Sequence, residues 1–490
     1  MSKVSRRRFL AGSAAVAAGV TLAGPFEGFT AHAGLPAGRR RSSGYGPLSP
    51  TADKRDGMIR LDLPEGFQYR SFHPTGTVLS DGTTLPARPD GMAAFRGRHG
   101  NSILVRNHEI NGPGTPMGGN GALYDPMTQG GTVNVEVDPH GNVVAGSDYV
   151  SLQGSQNNCA GGRTGWDTWL TCEETVNGDD VGNDFTGQDN TGLLKHGYMF
   201  EVPSDGTSDA VPIRSAGRFA HEAAAVTPSG RSVYLTEDNF AFASGFYRYL
   251  PPRRHRRHHG RHGWRHGRGH SGIADGGRLQ MLKVVGVDNA DLSLAQAPGA
   301  TYDVEWVDIA DPDPTFPADT TNDEAIVAVG DQGRALGAAI FSRLEGAYYS
   351  NGRVYFISTQ GGATVPPDTD PSGFGGGRGQ VWVYKPGHDR LSLVFESPGS
   401  STLDLPDNVV VSKHGSLVLC EDGSGDNFLR GLTRHGQVFD FARNADLTLE
   451  GQEFAGATFS HTGSTLFVNI QSSRPSYSIA IWGPWHKGPF

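Results

Sequence analysis

The chain has 490 residues and a formal net charge of −9, with only 19% charged residues beside 70 Gly and 30 Pro. That acidity excludes nucleic acid or an anionic membrane as the main partner. The Gly and Pro content, with few long amphipathic patterns, excludes a helical bundle and favours many short strands and turns. Three Cys exclude a fully paired disulfide framework, although one pair remains open.

In chain order, Ser5-Arg6-Arg7-Arg8-Phe9-Leu10 carries a twin arginine. An apolar run from Phe9 to Ala23 follows, and Ala31-His32-Ala33 precedes Gly34. This predicts a twin-arginine signal peptide over residues 1–33, a transient partnership with the twin-arginine translocase and a periplasmic or extracellular destination. A Sec signal or a membrane anchor is the alternative, but the run is short, Gly/Ala-rich and followed by a cleavage site. No Cys stands at that site, so neither a lipid anchor nor any other stable membrane anchor is expected. The first 33 residues hold four basic side chains and one acidic one, which leaves −12 on the remainder, a charge suited to concentrating divalent cations. Residues 34–57, rich in Gly, Arg, Ser and Pro, read as a flexible arm, with a β-propeller catalytic domain over 58–490 acting as a monomer.

Within that domain a unit repeats. Pro89-Asp90-Gly91-Met92-Ala93 leads through a Gly turn to Ile103-Leu104-Val105-Arg106-Asn107-His108-Glu109. Similar small-residue segments begin at Asn158, His221, Leu344, Pro406 and Phe454, and each leads to a β-branched or aromatic strand ending at Glu174, Asp238, Ser358, Asp422 or Asn469. A third alternating strand follows each, at Val133–Val137, Tyr198–Val202, Phe246–Leu250, Gln380–Tyr384, Gln437–Phe441 and Ile479–Trp482. Radially repeated antiparallel units of this kind predict an all-β fold, a six-bladed β-propeller with the small residues crowded at its axis. The rival is a pair of β-sandwiches. The long gap between the third and fourth units predicts an insertion over 251–335. Inside it, Arg253 to His270 packs seven Arg and six His and reads as a disordered loop.

Polar residues gather at the strand ends: Asn107, Glu109, Cys159, Glu173, Glu174, Glu222, Glu237, Asp238, Glu345, Asp407, Glu421 and Asp422. Converging on one channel, so many acids would repel each other unless cations were bound. Asp, Glu and Asn oxygens suit Ca²⁺, whereas a lone thiolate, Cys159, points to a transition metal, with iron one candidate.

Asn158-Cys159-Ala160-Gly161-Gly162 with Trp169-Leu170-Thr171-Cys172-Glu173-Glu174 resembles the signature of the PhoX-type alkaline phosphatases. So do Phe219-Ala220-His221-Glu222, Arg343-Leu344-Glu345-Gly346 and Trp482-Gly483-Pro484-Trp485. The resemblance runs from about Asp56 to the C-terminus. It implies an exported six-bladed propeller that hydrolyses small phosphate monoesters at a cluster of two Fe³⁺ and three Ca²⁺. By motif, Cys159 resembles the thiolate that holds iron, Glu174, Glu222 and Glu345 resemble metal ligands, and Arg343 resembles a substrate-phosphate contact. Arg343 and Glu345 are the expected catalytic residues, and Arg343 and Asn107 the expected substrate contacts. Glu109, Glu173, Glu237, Asp407, Glu421 and Asp422 join the expected metal set. The implied reaction is metal-assisted in-line hydrolysis, with Arg and metal charge neutralising the phosphoryl oxygens. No G-x-S-x-G or H-E-x-x-H motif offers another route, because Ala225 stands where the second His after His221-Glu222 would be. A Ca²⁺-dependent propeller hydrolase of phytase or lactonase type, and a non-catalytic metal-binding propeller, are the alternatives.

Overall fold

The structure is a computed structural model and describes residues 44–252, 272–364, 373–473 and 475–490. The expected signal peptide, residues 34–43 of the expected arm and the Arg/His-rich run 253–270 lie outside the described residues.

The fold is all-β and propeller-like, with a single α-helix, Asn322–Ala335, among the described residues. Six short strands form its inner wall: Pro89–Arg96, Asn158–Arg163, His221–Val226, Leu344–Ser350, Pro406–Val411 and Phe454–Phe459. Each touches the next in chain order, and the last returns to the first. Small residues make this closeness feasible. A Cβ on Gly162 would stand 1.9 Å from the Ala224 carbonyl oxygen, and one on Gly346 would stand 2.8 Å from the Asp407 carbonyl oxygen. Each inner strand pairs antiparallel with an outer neighbour: Ser102–His108, Thr168–Glu173, Val233–Glu237, Arg353–Ser358, Leu417–Glu421 and Thr465–Ile470. The apolar faces of these outer strands fill the wedges between neighbouring sheets, where Leu104, Leu170, Leu235, Phe356, Leu419 and Phe467 are fully buried.

Gln68–Phe72, from the N-terminal side, pairs with Tyr477–Trp482 from the C-terminal end. The two ends of the domain are thus fastened into one sheet. The described strands hydrogen-bond into sheets of six, three, nine, two, four and five strands. The nine-stranded sheet spans the third and fourth repeats. Arg278–Val284 extends the third, and Thr301–Asp308 pairs both with it and with Arg390–Glu396 of the fourth. The segment between these repeats therefore contributes two bridging strands and the helix, whose start is fixed by a capping box between Thr321 and Glu324.

Two expectations are corrected. The part of the arm described here, residues 44–57, is ordered: Leu48–Ala52 pairs with Ile59–Pro64, and Asp53 binds Arg60 and Ser71. Tyr45 packs its ring against Phe67, Phe441 and Phe490. A single aromatic anchors a segment whose composition otherwise reads as loop. In the fifth repeat the third strand is Phe428–Leu432, and the segment expected there, Gln437–Phe441, falls on the fourth, Val438–Asn444. Gly431 hides the strand in the sequence. It is required because a Cβ there would stand 2.0 Å from the Phe439 ring.

Gly162→Ala tests the tight inner wall. The substitution should cost about 1–3 kcal/mol by overpacking, read as a lower urea midpoint, whereas Gly387→Ala, with open space around it, should be neutral. Equal midpoints for both variants would contradict the close approach of the inner strands.

Candidate metal centre

Every inner hairpin is irregular at the same end. In each, two residues of the inner strand oppose one of its partner: Asp90-Gly91, Cys159-Ala160, Glu222-Ala223, Glu345-Gly346, Asp407-Asn408 and Gly456-Ala457. Such a bulge turns a side chain out of the regular alternation. Here it aims the first residue of each of the first five pairs at the axis. Each of these five is a carboxylic acid or a thiol.

Neighbouring units pin these bulges. Asn107 Nδ2 donates to the carbonyls of Cys159 and Ala160, both at 2.8 Å, and Asn469 Nδ2 donates to that of Asp90 at 2.6 Å. A second tier of acids follows the partner strands: Glu109, Glu174, Asp238 and Asp422. Glu453 stands just before the sixth inner strand.

The ligand atoms converge in three overlapping groups, each within 4.8 Å: Asp90–Glu109–Cys159, Cys159–Glu174–Glu222 and Glu222–Glu345–Asp407. Cys159 Sγ lies 2.8 Å from Glu174 Oε2. Burial, then mutual repulsion, pushes the carboxyls of Asp90, Glu174, Glu222, Glu345, Asp407 and Glu453 well above their usual range. Glu109 rises by burial against the pull of Arg88, and Asp422 is pushed up to about 7. The Cys159 thiol rises by burial and by Glu174 and Glu109. Two guanidiniums counter this charge. Arg343 grips Asp238 through Nε at 3.2 Å and Nη2 at 2.7 Å, and its Nη2 also reaches Glu345 at 2.9 Å. Arg88 holds Glu109 through Nε at 3.2 Å and through Nη2. Nine carboxyls and a thiol against two guanidiniums leave a deficit of positive charge. Asp90 Oδ1 is also buried without a partner. The donor set therefore fits bound cations.

Most sequence-predicted residues meet here: Cys159, Glu109, Glu174, Glu222, Glu345, Asp407, Asp422 and Arg343, with Asp238. Three do not. Glu173, Glu237 and Glu421 precede second-tier acids by one position, so strand alternation sends them into the sheets. Glu173 accepts from the Gln156, Gly197 and Tyr198 amides and from His196. Glu237 accepts from the Gly245 amide and the Tyr247 hydroxyl. Glu421 accepts from the Asp404 and Phe428 amides and from Arg430. Asn107, expected to touch substrate, is occupied on both sides, because its Oδ1 accepts from Trp169 Nε1 at 2.9 Å. Asp90, Glu453 and Arg88 were missed. Asp90 occupies the repeat position of Cys159, Glu222, Glu345 and Asp407, a signal visible in the sequence. All three Cys are free and buried, and Cys172 and Cys420 lie in the sheet cores opposite the second and fifth bulges.

The family model described as alkaline phosphatase PhoX matches residues 43–474. Among solved structures, Pseudomonas fluorescens PhoX in complex with vanadate, a transition state analogue, is similar at 19% identity with a TM-score of 0.63. That match covers 91% of this chain and 98% of the other. A gluconolactonase from Xanthomonas campestris matches at 12% identity and a TM-score of 0.39, covering 91% and 99%. Virginiamycin B lyase from Staphylococcus aureus matches at 10% identity and 0.37, covering 85% and 99%. No curated protein matches. Among the described residues, no helix is long and apolar enough to cross a membrane.

The buried support of Glu173 generates a pH test. His196 bridges Glu173 at 2.7 Å and Asp125 at 3.2 Å. Burial opposes the imidazolium, but the two carboxylates outweigh it and raise the pKa to about 9. A raised folded-state pKa gives stability that is full below about pH 6.5, the unfolded value, and is lost as pH climbs through about 9. The melting temperature should fall across that window, and His196→Gln should flatten the fall. A variant whose profile stays parallel to wild type would remove His196 from this role.

Proposed function

The chain belongs to the PhoX family of alkaline phosphatases, metal-dependent phosphoric monoester hydrolases, and from that membership we propose that its ring of bulged acids holds Fe³⁺ and Ca²⁺ and binds the phosphoryl group of a small phosphate monoester. The observation that carries this reading is Cys159: a thiol aimed at the axis, its Sγ grouped with Asp90 and Glu109 on one side and Glu174 and Glu222 on the other. A site for Ca²⁺ alone has no use for a soft sulfur donor. Cys159, Glu174 and Glu222 would hold iron, while the all-oxygen group Glu222–Glu345–Asp407, with Asp422, Glu453 and Asp90 nearby, suits Ca²⁺. Bound there, the metals would supply positive charge for the phosphoryl oxygens and lower the pKa of a coordinated water.

The chain's own residues do the positioning. Asp238 and Glu345 fix the Arg343 guanidinium in one plane and leave Nη1 without a hydrogen-bond partner among the described residues. Arg343 therefore presents a charged donor that a non-bridging phosphoryl oxygen can accept, in the forked geometry Arg favours. Glu345 serves twice, as a metal donor and as the anchor of that guanidinium. Burial of the cluster excludes bulk water and strengthens each of these contacts.

The six-bladed reading is part of the proposal. It is supported by the closed ring of inner strands, each with its own outward hairpin, and by the N-terminal strand that completes the last sheet. Export by the twin-arginine route rests on the Arg6-Arg7-Arg8 motif and suits a chain that must collect its metals before crossing a membrane.

Elemental analysis of purified protein should find Fe and Ca together. Cys159→Ala should lose the iron and abolish p-nitrophenyl phosphate turnover at alkaline pH, whereas an unchanged rate would sink the iron–thiolate assignment. Treatment with EGTA should stop turnover, and added Ca²⁺ should restore it. Activity indifferent to EGTA would remove Ca²⁺ from the proposal.

A further inference from the structure

We propose that Arg88 is a second phosphate-binding guanidinium, opposed to Arg343 across the cluster, so that the substrate's phosphoryl group is clamped from two sides. The inference rests on the reading of the cluster as a phosphomonoester site with Arg343 as a phosphate contact.

The two residues occupy one repeat position. Arg88-Pro89-Asp90-Gly91 opens the first inner strand and Arg343-Leu344-Glu345-Gly346 the fourth. In each, Arg immediately precedes the strand, the next residue but one is the bulged acid, and a glycine packs on the following unit. Both arginines adopt left-handed backbone, with φ of 54° and 40°. Asn157 and Leu405 share that conformation at the same position in two other units, so the turn belongs to the repeat. What distinguishes the first and fourth units is the guanidinium. Two inner strands separate these units on either side of the closed ring, which sets the two side chains on opposite flanks. The acids between them are common ground: Glu174, Asp407 and Asp422 each lie close enough to feel both Glu109, which Arg88 holds, and Arg343.

The two guanidiniums are also used alike. Each grips a second-tier carboxylate through Nε and Nη2, and neither Nη1 has a hydrogen-bond partner among the described residues. Arg218 shows what a purely structural arginine looks like in this fold. Its Nε, Nη1 and Nη2 are all engaged, by His196, Asp180, Val176, Asn177 and Pro314. Arg88 is instead 39% exposed at the side chain, against 15% for Arg343 and none for Arg218. A donor anchored at one edge and open at the other, at the rim of an anion site, is placed to receive a ligand. A phosphoryl dianion in line for attack offers three equatorial oxygens, and two opposed forks can take different ones.

The test uses holoprotein of the wild type and of Arg88→Gln, Arg88→Lys and Arg343→Gln. It measures kcat and KM for p-nitrophenyl phosphate, the inhibition constant of inorganic phosphate, and Fe and Ca content. Arg88→Gln should raise both KM and the phosphate inhibition constant about tenfold or more with metal content unchanged. Arg88→Lys keeps a charge on Glu109 but lacks the fork, so it should retain the metals and still bind phosphate less tightly. If Arg88→Gln loses metal, Arg88→Lys decides. Wild-type phosphate binding in a metal-replete Arg88→Lys protein would overturn the inference, and so would an unchanged phosphate constant in metal-replete Arg88→Gln. Failure of the underlying reading looks different: Arg343→Gln would then leave phosphate inhibition untouched, whatever the Arg88 variants do.

Discussion

A β-bulge repeated at one end of every inner hairpin is the constraint on which the rest of this structure depends. A regular strand would alternate its side chains between the two faces of its sheet. The bulge takes one residue out of that alternation and turns it toward the axis. Repeated around a closed wall, it brings Asp90, Cys159, Glu222, Glu345 and Asp407 together from segments more than 300 residues apart. The small residues that follow are a consequence. Gly91, Ala160, Ala223 and Gly346 stand where one unit's bulge meets the next, and a Cβ on Gly91 would already stand 2.7 Å from the Cys159 carbonyl oxygen.

The assembled charge sets the chemistry. Carboxyls buried this closely cannot all ionise without compensation, and two arginines are too few. Pairing relieves the conflict only in part, at Arg88 and Arg343, unlike the fuller pairing elsewhere of Arg60 on Asp53 and Asp56, or Arg218 on Asp180. The protein leaves the acids facing one another and fixes their backbones with Asn107 and Asn469. Such an arrangement fits bound cations, and under the proposed function those cations would give an acidic protein the positive field that a phosphate ester needs.

Much of this was legible in the sequence. The alternation of small-residue and β-branched strands, the Gly turns between them and the acids at their ends are local signals, and they placed Cys159, Glu174, Glu222, Glu345 and Asp407 in one site. What the sequence obscured was which of two adjacent acids turns inward. Glu173 and Glu174 are alike in type, and only the register of Asn158 against Glu173 sends one to the sheet interior and the other to the axis. The same ambiguity misplaced Glu237 and Glu421. Asn107 misled for another reason: a polar residue at a strand end reads as a ligand contact, but here its amide is consumed in holding a neighbouring bulge. Asp90 could have been found by aligning the repeats on their bulges. The order of residues 44–57 could not, since beside the pairing of Leu48–Ala52 with Ile59–Pro64 it draws on the long-range packing of Tyr45 against Phe441 and Phe490.

The claim at the centre of this account is that cations, including one held by sulfur, keep these acids together. Anomalous diffraction from a crystal of the metal-replete protein, recorded at the iron absorption edge, tests it most directly. The account predicts an iron peak bonded to Cys159 Sγ with Glu174 and Glu222 oxygens around it. A map without iron beside Cys159, its thiol packed only against protein, would contradict it.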